Sequence, residues 1–221
     1  MATELADGIW WFDLRGVNAY LLENGDSLTL VDAGTPLSRR GLVRELGDLG
    51  YTFGDVDRVL LTHYDIDHVG TLHRIDAPVY VGATDAPMVA GDRKPTWFTR
   101  KGLSQRLAAP FCPEPSGPIR SIGDGDTVDS FSVYHTPGHT PGHVSYVSEF
   151  LSVAFVGDLV RESGGRLEPS PWLLSHDADQ VRASIERLAA ELPAVDVLAM
   201  GHGIPFNSRG HERLRELAAR L

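Results

Sequence analysis

The run Leu61-Thr62-His63-Tyr64-Asp65-Ile66-Asp67-His68-Val69-Gly70 places two imidazoles and two carboxylates within six residues, directly after a short apolar stretch. Such density suits a divalent cation, which takes imidazole nitrogen and carboxylate oxygen and, in a catalytic site, keeps one position open for water or substrate. The remaining donors must then come from elsewhere in the chain. They stand at His139 in His135-Thr136-Pro137-Gly138-His139-Thr140-Pro141-Gly142-His143, at Asp158 in Phe155-Val156-Gly157-Asp158, and at His202 in Gly201-His202-Gly203. One such histidine by itself is more often a hydrogen-bonded structural side chain. The set reads differently, because Asp65, Asp67 and Asp158 are flanked by apolar strands and buried carboxylates need cations nearby. His63 and Asp65 lie two apart and can point the same way, Asp67 and His68 are adjacent and start out in different directions, and four donors so spread along the loop divide between two ions.

In this order and spacing the segments resemble the metallo-β-lactamase-fold hydrolase superfamily, in its glyoxalase II and lactonase-like branch, over nearly the whole chain. That family opens with a strand ending in aspartate and glycine, matched by Leu30-Val31-Asp32-Ala33-Gly34, and continues with His-x-His-x-Asp-His at the end of another strand. Here Asp65 replaces the usual second histidine. The resemblance implies an α/β fold, a four-layer αββα sandwich of two mixed sheets flanked by helices. It further implies two Zn²⁺ ions, the first held by His63, Asp65 and His139, the second by Asp67, His68 and His202, with Asp158 bridging. A metal-bound hydroxide would be the nucleophile, with Asp67 and Asp158 as its catalytic carboxylates. The oxygen donor Asp65 makes the first site harder and more anionic, so iron or manganese can replace zinc. Asp32, His135 and His143 are expected to support the ligands rather than bind metal.

The elements that must position these groups follow from periodicity. Alternating apolar residues predict strands over Gly8 to Asp13, Val17 to Glu23 and Ser27 to Val31, joined as an antiparallel meander with a tight turn at Asn24-Gly25-Asp26. A helix starts within Thr35 to Ser38, buries Leu42, Val43, Leu46 and Leu49, and stops at Gly50. Strand Val59 to Leu61 delivers the metal motif, a helix begins near Asp67, and a buried strand follows at Val79 to Val81. Strands are then expected at Thr127 to Val128, Phe131 to His135, Val144 to Val147, Val153 to Val156 and Val195 to Met200. Helices are expected over Asp177 to Glu191 and Ser208 to Leu221. The chain is expected to form a single domain, residues 1–221, with a proline-rich insert at about 92–118.

Composition narrows the partners. The 221 residues carry a formal net charge of -10, and only Lys94 and Lys101 supply lysine. A nucleic-acid partner needs a dense basic patch, which is missing. No apolar run reaches the roughly 20 residues of a membrane helix, and the N-terminus lacks signal-peptide character, so the chain reads as soluble and cytoplasmic, a monomer or homodimer. The lone Cys112 excludes an internal disulfide framework.

The expected reaction is metal-dependent hydrolysis of a small-molecule acyl substrate, an ester, thioester or lactone. RNA-processing relatives carry a large insert that Asp158 and His202 do not enclose, and flavin-linked relatives carry a flavin domain. Glyoxalase II-like thioesterases carry a glutathione-gripping helical region, and lactonases a tyrosine after the bridging aspartate. None of these additions is visible here. A flexible segment after Asp158 offers Arg161 and Arg166 as candidate clamps for a substrate carboxylate, although an ion pair with a neighbouring glutamate is the more ordinary use. Trp97 and Trp172 could line the pocket. Two other readings stay open: a mononuclear iron persulfide dioxygenase, and a metal-binding protein without hydrolytic activity.

Overall fold

The computed structural model describes residues 2–25, 27–93 and 114–221. Strands β1 (Thr3–Ala6), β2 (Ile9–Asp13), β3 (Asn18–Asn24) and β4 (Ser27–Val31) form an antiparallel meander. Three parallel strands follow beside β4, namely β5 (Arg58–Leu61), β6 (Val79–Gly82) and β7 (Ile119–Ile122), so this sheet runs β1 to β7 in chain order. The second sheet contains β8 (Thr127–Val128), β9 (Phe131–His135), β10 (Val144–Ser148) and β11 (Val153–Gly157) as antiparallel neighbours. A separate hairpin joins β12 (Val160–Ser163) to β13 (Arg166–Pro169). The far edge of the second sheet, β14 (Val197–Met200), pairs parallel with β11.

Period-two alternation sorts the core into layers. In β5, Val59 and Leu61 face one way into a cluster with Leu42 and Leu46 of helix α1 (Arg39–Asp48), while Leu60 faces the other sheet. In β11, Val153 and Phe155 join Leu60 and Tyr20 between the sheets. Ala154 and Val156 turn outward to two helices near the C-terminus, Ala178–Glu191 and Gly210–Ala218. Both faces of these strands are therefore dry, which is why they read as continuous apolar runs. Each fully buried Leu or Val contributes roughly 1.5–3 kcal/mol. The expected αββα order of layers is present.

Several expectations need correction. Val43 is 49% exposed rather than part of the buried stripe. The helix near Asp67 is the single turn α2 (Ile66–Val69). Strands β1 and β7, and the short helix α3 (Ala86–Val89), lie in segments where no element was expected. The segment expected to be flexible after Asp158 is the β12–β13 hairpin, held by cross-strand pairing. Most of the proline-rich insert, with Trp97 and Cys112, lies outside the described residues.

Local chemistry sets the element ends. Gly50 adopts φ +86° just beyond α1, the left-handed stop that glycine takes without Cβ strain. The two late helices are α4 (Ala178–Glu191) and α5 (Gly210–Ala218). Asp177 caps α4 by accepting from the Asp179 and Gln180 N–H groups, a contact whose loss costs about 1 kcal/mol.

Candidate metal centre

Four strands in two sheets end side by side, and the chemistry-bearing residues stand just past those ends. His63, Asp65, Asp67 and His68 follow β5, His139 follows β9, Asp158 follows β11 and His202 follows β14. Hydrogen bonds stitch the sheets together there. Val144 N–H donates to Thr62 O at 2.9 Å, and Tyr146 Oη donates to Leu61 O and Tyr80 O at 3.0 and 2.9 Å. From the other side Tyr20 Oη and Asn18 Nδ2 both donate to Met200 O, at 2.7 and 2.9 Å. At Asp158 a register shift in the β11–β14 pairing and a left-handed Gly157 (φ +47°) re-aim the chain, the usual effect of a bulge.

These ties bring all seven candidate ligands together. His63, Asp65 and His139 each offer a donor atom, and those atoms lie within 4.8 Å of one another; so do the donors of Asp67, His68 and His202, and those of His63, His68 and Asp158. Asp158 stands between the groups, with Oδ1 3.4 Å from His68 Nε2 and Oδ2 3.4 and 3.2 Å from His139 Nε2 and His202 Nε2. Asp65 Oδ2 is 3.0 Å from His139 Nε2 and 3.5 Å from His63 Nε2, and Asp67 Oδ2 is 3.4 Å from His202 Nε2. Two donors bound at about 2.0–2.1 Å to one tetrahedral ion stand roughly 3.3 Å apart, so the spacing is that of a coordination polyhedron.

The histidines are oriented alike. Each ligand candidate engages the protein through Nδ1 and turns Nε2 inward: His63 on Thr62 Oγ1 (3.0 Å), His68 on Asp32 Oδ2 (2.8 Å), His139 on Ser170 Oγ (2.7 Å) and His202 on Gly16 O (2.6 Å). A carbonyl and a carboxylate can only accept, so Nδ1 of His202 and His68 carries the proton, and in the neutral ring Nε2 keeps its lone pair for a metal. His63 Nε2, His68 Nε2 and Asp158 Oδ1 are buried with no hydrogen-bond partner among the described residues. Orphaned polar atoms aimed at one point need an ion or water to satisfy them, and this donor set fits divalent cations. Gly201 completes the cradle, since a Cβ there would sit 2.0 Å from Asp158 Oδ1 and 2.7 Å from His68 Cε1.

The carboxylates of the cluster favour the protonated form of the imidazoles beside them. Burial pushes the His68 imidazolium down, but Asp32, Asp158 and Asp67 outweigh it and hold its pKa well above the ordinary value. His202 is likewise desolvated, yet Asp158 and Asp67 raise it to about 10. Burial pushes Asp158 up while His68, His139 and His202 pull it well below the usual carboxylate range. Asp67 is lowered in the same manner.

Other expected site residues fall around this cluster. Asp32, at φ +59°, accepts from Thr62 N–H (2.9 Å) and Thr62 Oγ1 besides His68. His143 is buried, with Nδ1 on Thr136 Oγ1 at 2.9 Å and its ring 5.3 Å from that of His63. His135 lies outside the three donor groups, its Nε2 on Pro141 O. Trp172, 70% exposed, stands on the turn just after Ser170. Arg161 does not extend as a clamp, because its Nε and Nη2 both donate to Glu168 across the hairpin, at 3.1 and 2.7 Å; Arg166 is exposed at the hairpin tip.

Sequence reasoning missed Asp85. It is fully buried, and its carboxylate accepts from Thr140 Oγ1 (2.5 Å), Gly142 N–H (2.7 Å) and Tyr64 N–H (3.3 Å). It thereby holds the His63–His68 loop to the His139 loop. Burial raises its pKa to about 6 against the lowering effect of those donors. Its only signal is an aspartate directly after a buried strand and Gly82-Ala83-Thr84, which carries no metal-ligand spacing.

Comparison with known proteins agrees with this geometry. The family model of the metallo-beta-lactamase superfamily matches residues 12–202, and the chain belongs to that superfamily. A Bacillus subtilis (strain 168) protein described as "Probable metallo-hydrolase YflN" is 30% identical, the match covering 99% of this chain and 92% of that one. "Acyl-coenzyme A thioesterase MBLAC2" of Gallus gallus is 28% identical, over 97% of this chain and 83% of its own. The crystal structure of TTHA1623 in a di-iron-bound form superposes with a TM-score of 0.69 at 30% identity, covering 93% of this chain and 95% of that one. Among the described residues no helix is long and apolar enough to cross a membrane.

Proposed function

We propose that this protein is a metal-dependent hydrolase of small acyl substrates, acting on an ester, thioester or lactone bond as a cytoplasmic monomer or homodimer. The observation that carries the reading is the convergence of four inward Nε2 atoms and three carboxylates, with Asp158 in contact range of both donor groups. His63, Asp65 and His139 would hold one divalent ion, Asp67, His68 and His202 a second, and Asp158 would bridge. When bound, such cations make a shared water acidic enough to ionise near neutral pH and polarise the scissile carbonyl.

The chain's own residues do the rest. Asp67 and His202 are 31% and 34% exposed at the side chain, whereas His63, His68 and His139 are buried, so substrate enters over Asp67 and His202. Asp67 can accept a proton of the attacking water and align its lone pair. Exposed Trp172, Leu174 and Ile204 stand beside the loops carrying His139 and His202 and offer apolar contact to an acyl chain. The MBLAC2 relative supports a thioester over a lactone.

Elemental analysis of protein purified without added metal, beside a His139→Ala control, comes first, followed by a pooled screen of esters, thioesters and lactones. Two ions per chain, fewer in the control, with sustained metal-dependent turnover, is the expected result. A fully loaded protein that turns over none of these substrates would refute the proposal. A single iron with oxygen uptake on glutathione persulfide would replace hydrolysis with dioxygenation.

A further inference from the structure

The chain carries a net charge of -10, yet three arginines converge on one cavity of about 520 Å³. Arg15 comes from the loop between β2 and β3, and Arg40 and Arg44 from the first turns of α1, with Leu14 and Leu37 as apolar wall and rim. Arg44 is fixed by Glu45 at 2.5 Å. Arg15 and Arg40 have no side-chain ion pair or hydrogen bond among the described residues. The one carboxylate in the lining, Asp13, turns its Oδ1 to the Arg15 and Gly16 N–H groups at 2.9 and 3.2 Å. Unpaired guanidinium groups over a concavity large enough for a nucleotide are a receptor for phosphate, which they bind bidentately.

The cavity also abuts the catalytic face. Gly16, next to Arg15, supplies the carbonyl that orients His202, and Asn18 N–H donates to Gly201 O at 2.8 Å. Leu37, 92% exposed, follows the Asp32 to Gly34 segment that supports His68. The loop that carries Arg15 therefore runs directly into the residues that hold the His202 segment.

We propose that this cavity is a subsite for a phosphate-bearing carrier, so that the acyl group is presented to the metal centre by a leaving group whose phosphates are held by Arg15 and Arg40. The inference rests on the hydrolase reading for its purpose, but the cavity can be tested without turnover. Adenosine 3′,5′-bisphosphate is titrated calorimetrically into the metal-loaded full chain, into Arg15→Gln/Arg40→Gln, and into Arg182→Gln on the far helix α4. Saturable binding that the double variant weakens at least about tenfold, as expected for lost charge-assisted hydrogen bonds, and that Arg182→Gln leaves unchanged, supports the site. Partial retention in Arg15→Lys/Arg40→Lys, together with unchanged thermal melts, separates lost charge from misfolding. Absent binding, or equal binding in all variants, overturns it.

A kinetic arm compares acetyl-coenzyme A with the neutral acetyl-N-acetylcysteamine. The expected result is a KM for the phosphate-bearing substrate that rises at least about tenfold in the double variant, while kcat and all constants for the neutral substrate hold. Equal KM for both thioesters in the wild type overturns the subsite and leaves hydrolysis standing. Arginine-dependent bisphosphate binding without cleavage of either thioester does the reverse. If free inorganic phosphate matches the bisphosphate in affinity, the cavity serves a free anion and the carrier role is refuted.

Discussion

Replacing Asp32 by asparagine removes one charge and almost nothing else, which makes it the sharpest probe of how the centre is held. The residue sits at φ +59°, a conformation that asparagine tolerates about as well as aspartate, so the backbone gives no reason to move. Its two oxygens face donors only: Oδ1 takes Thr62 N–H at 2.9 Å, and Oδ2 takes His68 Nδ1 at 2.8 Å. An amide has one acceptor oxygen. Whichever way the new side chain turns, its NH₂ meets either the Thr62 N–H or the His68 Nδ1–H, and one buried donor is stranded at a cost of about 1–3 kcal/mol. If the stranded donor is His68, the ring can escape only by moving its proton to Nε2, the atom needed for metal. Loss of such a partner lowers metal affinity about 10–100-fold. Competition with a chelator of known affinity measures the second quantity and urea unfolding of the metal-free protein the first. An Asp32→Asn variant with metal affinity within about twofold and stability within about 0.5 kcal/mol of wild type would refute the account of Asp32 as the anchor of His68.

Three further outcomes are expected. Gly201→Ala brings Cβ to 2.0 Å from Asp158 Oδ1 and 2.7 Å from His68 Cε1; it should abolish activity and bound metal while costing about 1–3 kcal/mol in overpacking, and a fully loaded, active variant would contradict the geometry. Asp85→Ala strands the Tyr64 and Gly142 N–H groups and the Thr140 hydroxyl, so unfolding free energy should fall by about 3–6 kcal/mol, with metal affinity falling too because both ligand loops loosen; an unchanged melting temperature would count against it. His202 in the metal-free protein has its pKa raised from 6.5 to about 10, and His68 is raised as well. A raised folded-state pKa contributes stability that is fully present below the unfolded value and is lost as pH rises through the folded one. Metal-free protein should therefore lose melting temperature between about pH 6.5 and 10, and metal uptake at pH 7 should release protons from both rings, read from titrations in buffers of different ionisation enthalpy; no release would show that both rings are already neutral.

Much of this was legible in the chain because two periodicities and one donor pattern coincide. The alternation Val59-Leu60-Leu61 is a strand seen from either side, and the histidines and carboxylates after it have few uses other than metal. Legibility failed where the cause is non-local. Val43 has the spacing of a core residue, but α1 covers its sheet with a narrower face, fixed by Leu42 and Leu46. The β12–β13 hairpin contains Gly164-Gly165, which reads as slack; in the fold both take positive φ and close a tight turn, and Arg161 pairs with Glu168 across it. Asp85 is invisible for the opposite reason: its partners, Tyr64, Thr140 and Gly142, come from two distant loops, and nothing in its own neighbours names them. The arginine cavity likewise needs the β2–β3 loop and α1 side by side before its charges add.

The donors of the centre divide four to three between the sheets, His63, Asp65, Asp67 and His68 against His139, Asp158 and His202. The ion held by Asp67, His68 and His202 would fasten residue 68 to residue 202 across about 134 residues of chain, and a cross-link closing a loop of that length is worth about 5 kcal/mol in unfolded-state entropy. With Cys112 as the lone cysteine, no sulfur bridge can do this within the chain. Chelation should then act on this protein as a reductant acts on a disulfide-stapled one, removing the rivet between the two halves of the sandwich along with the chemistry.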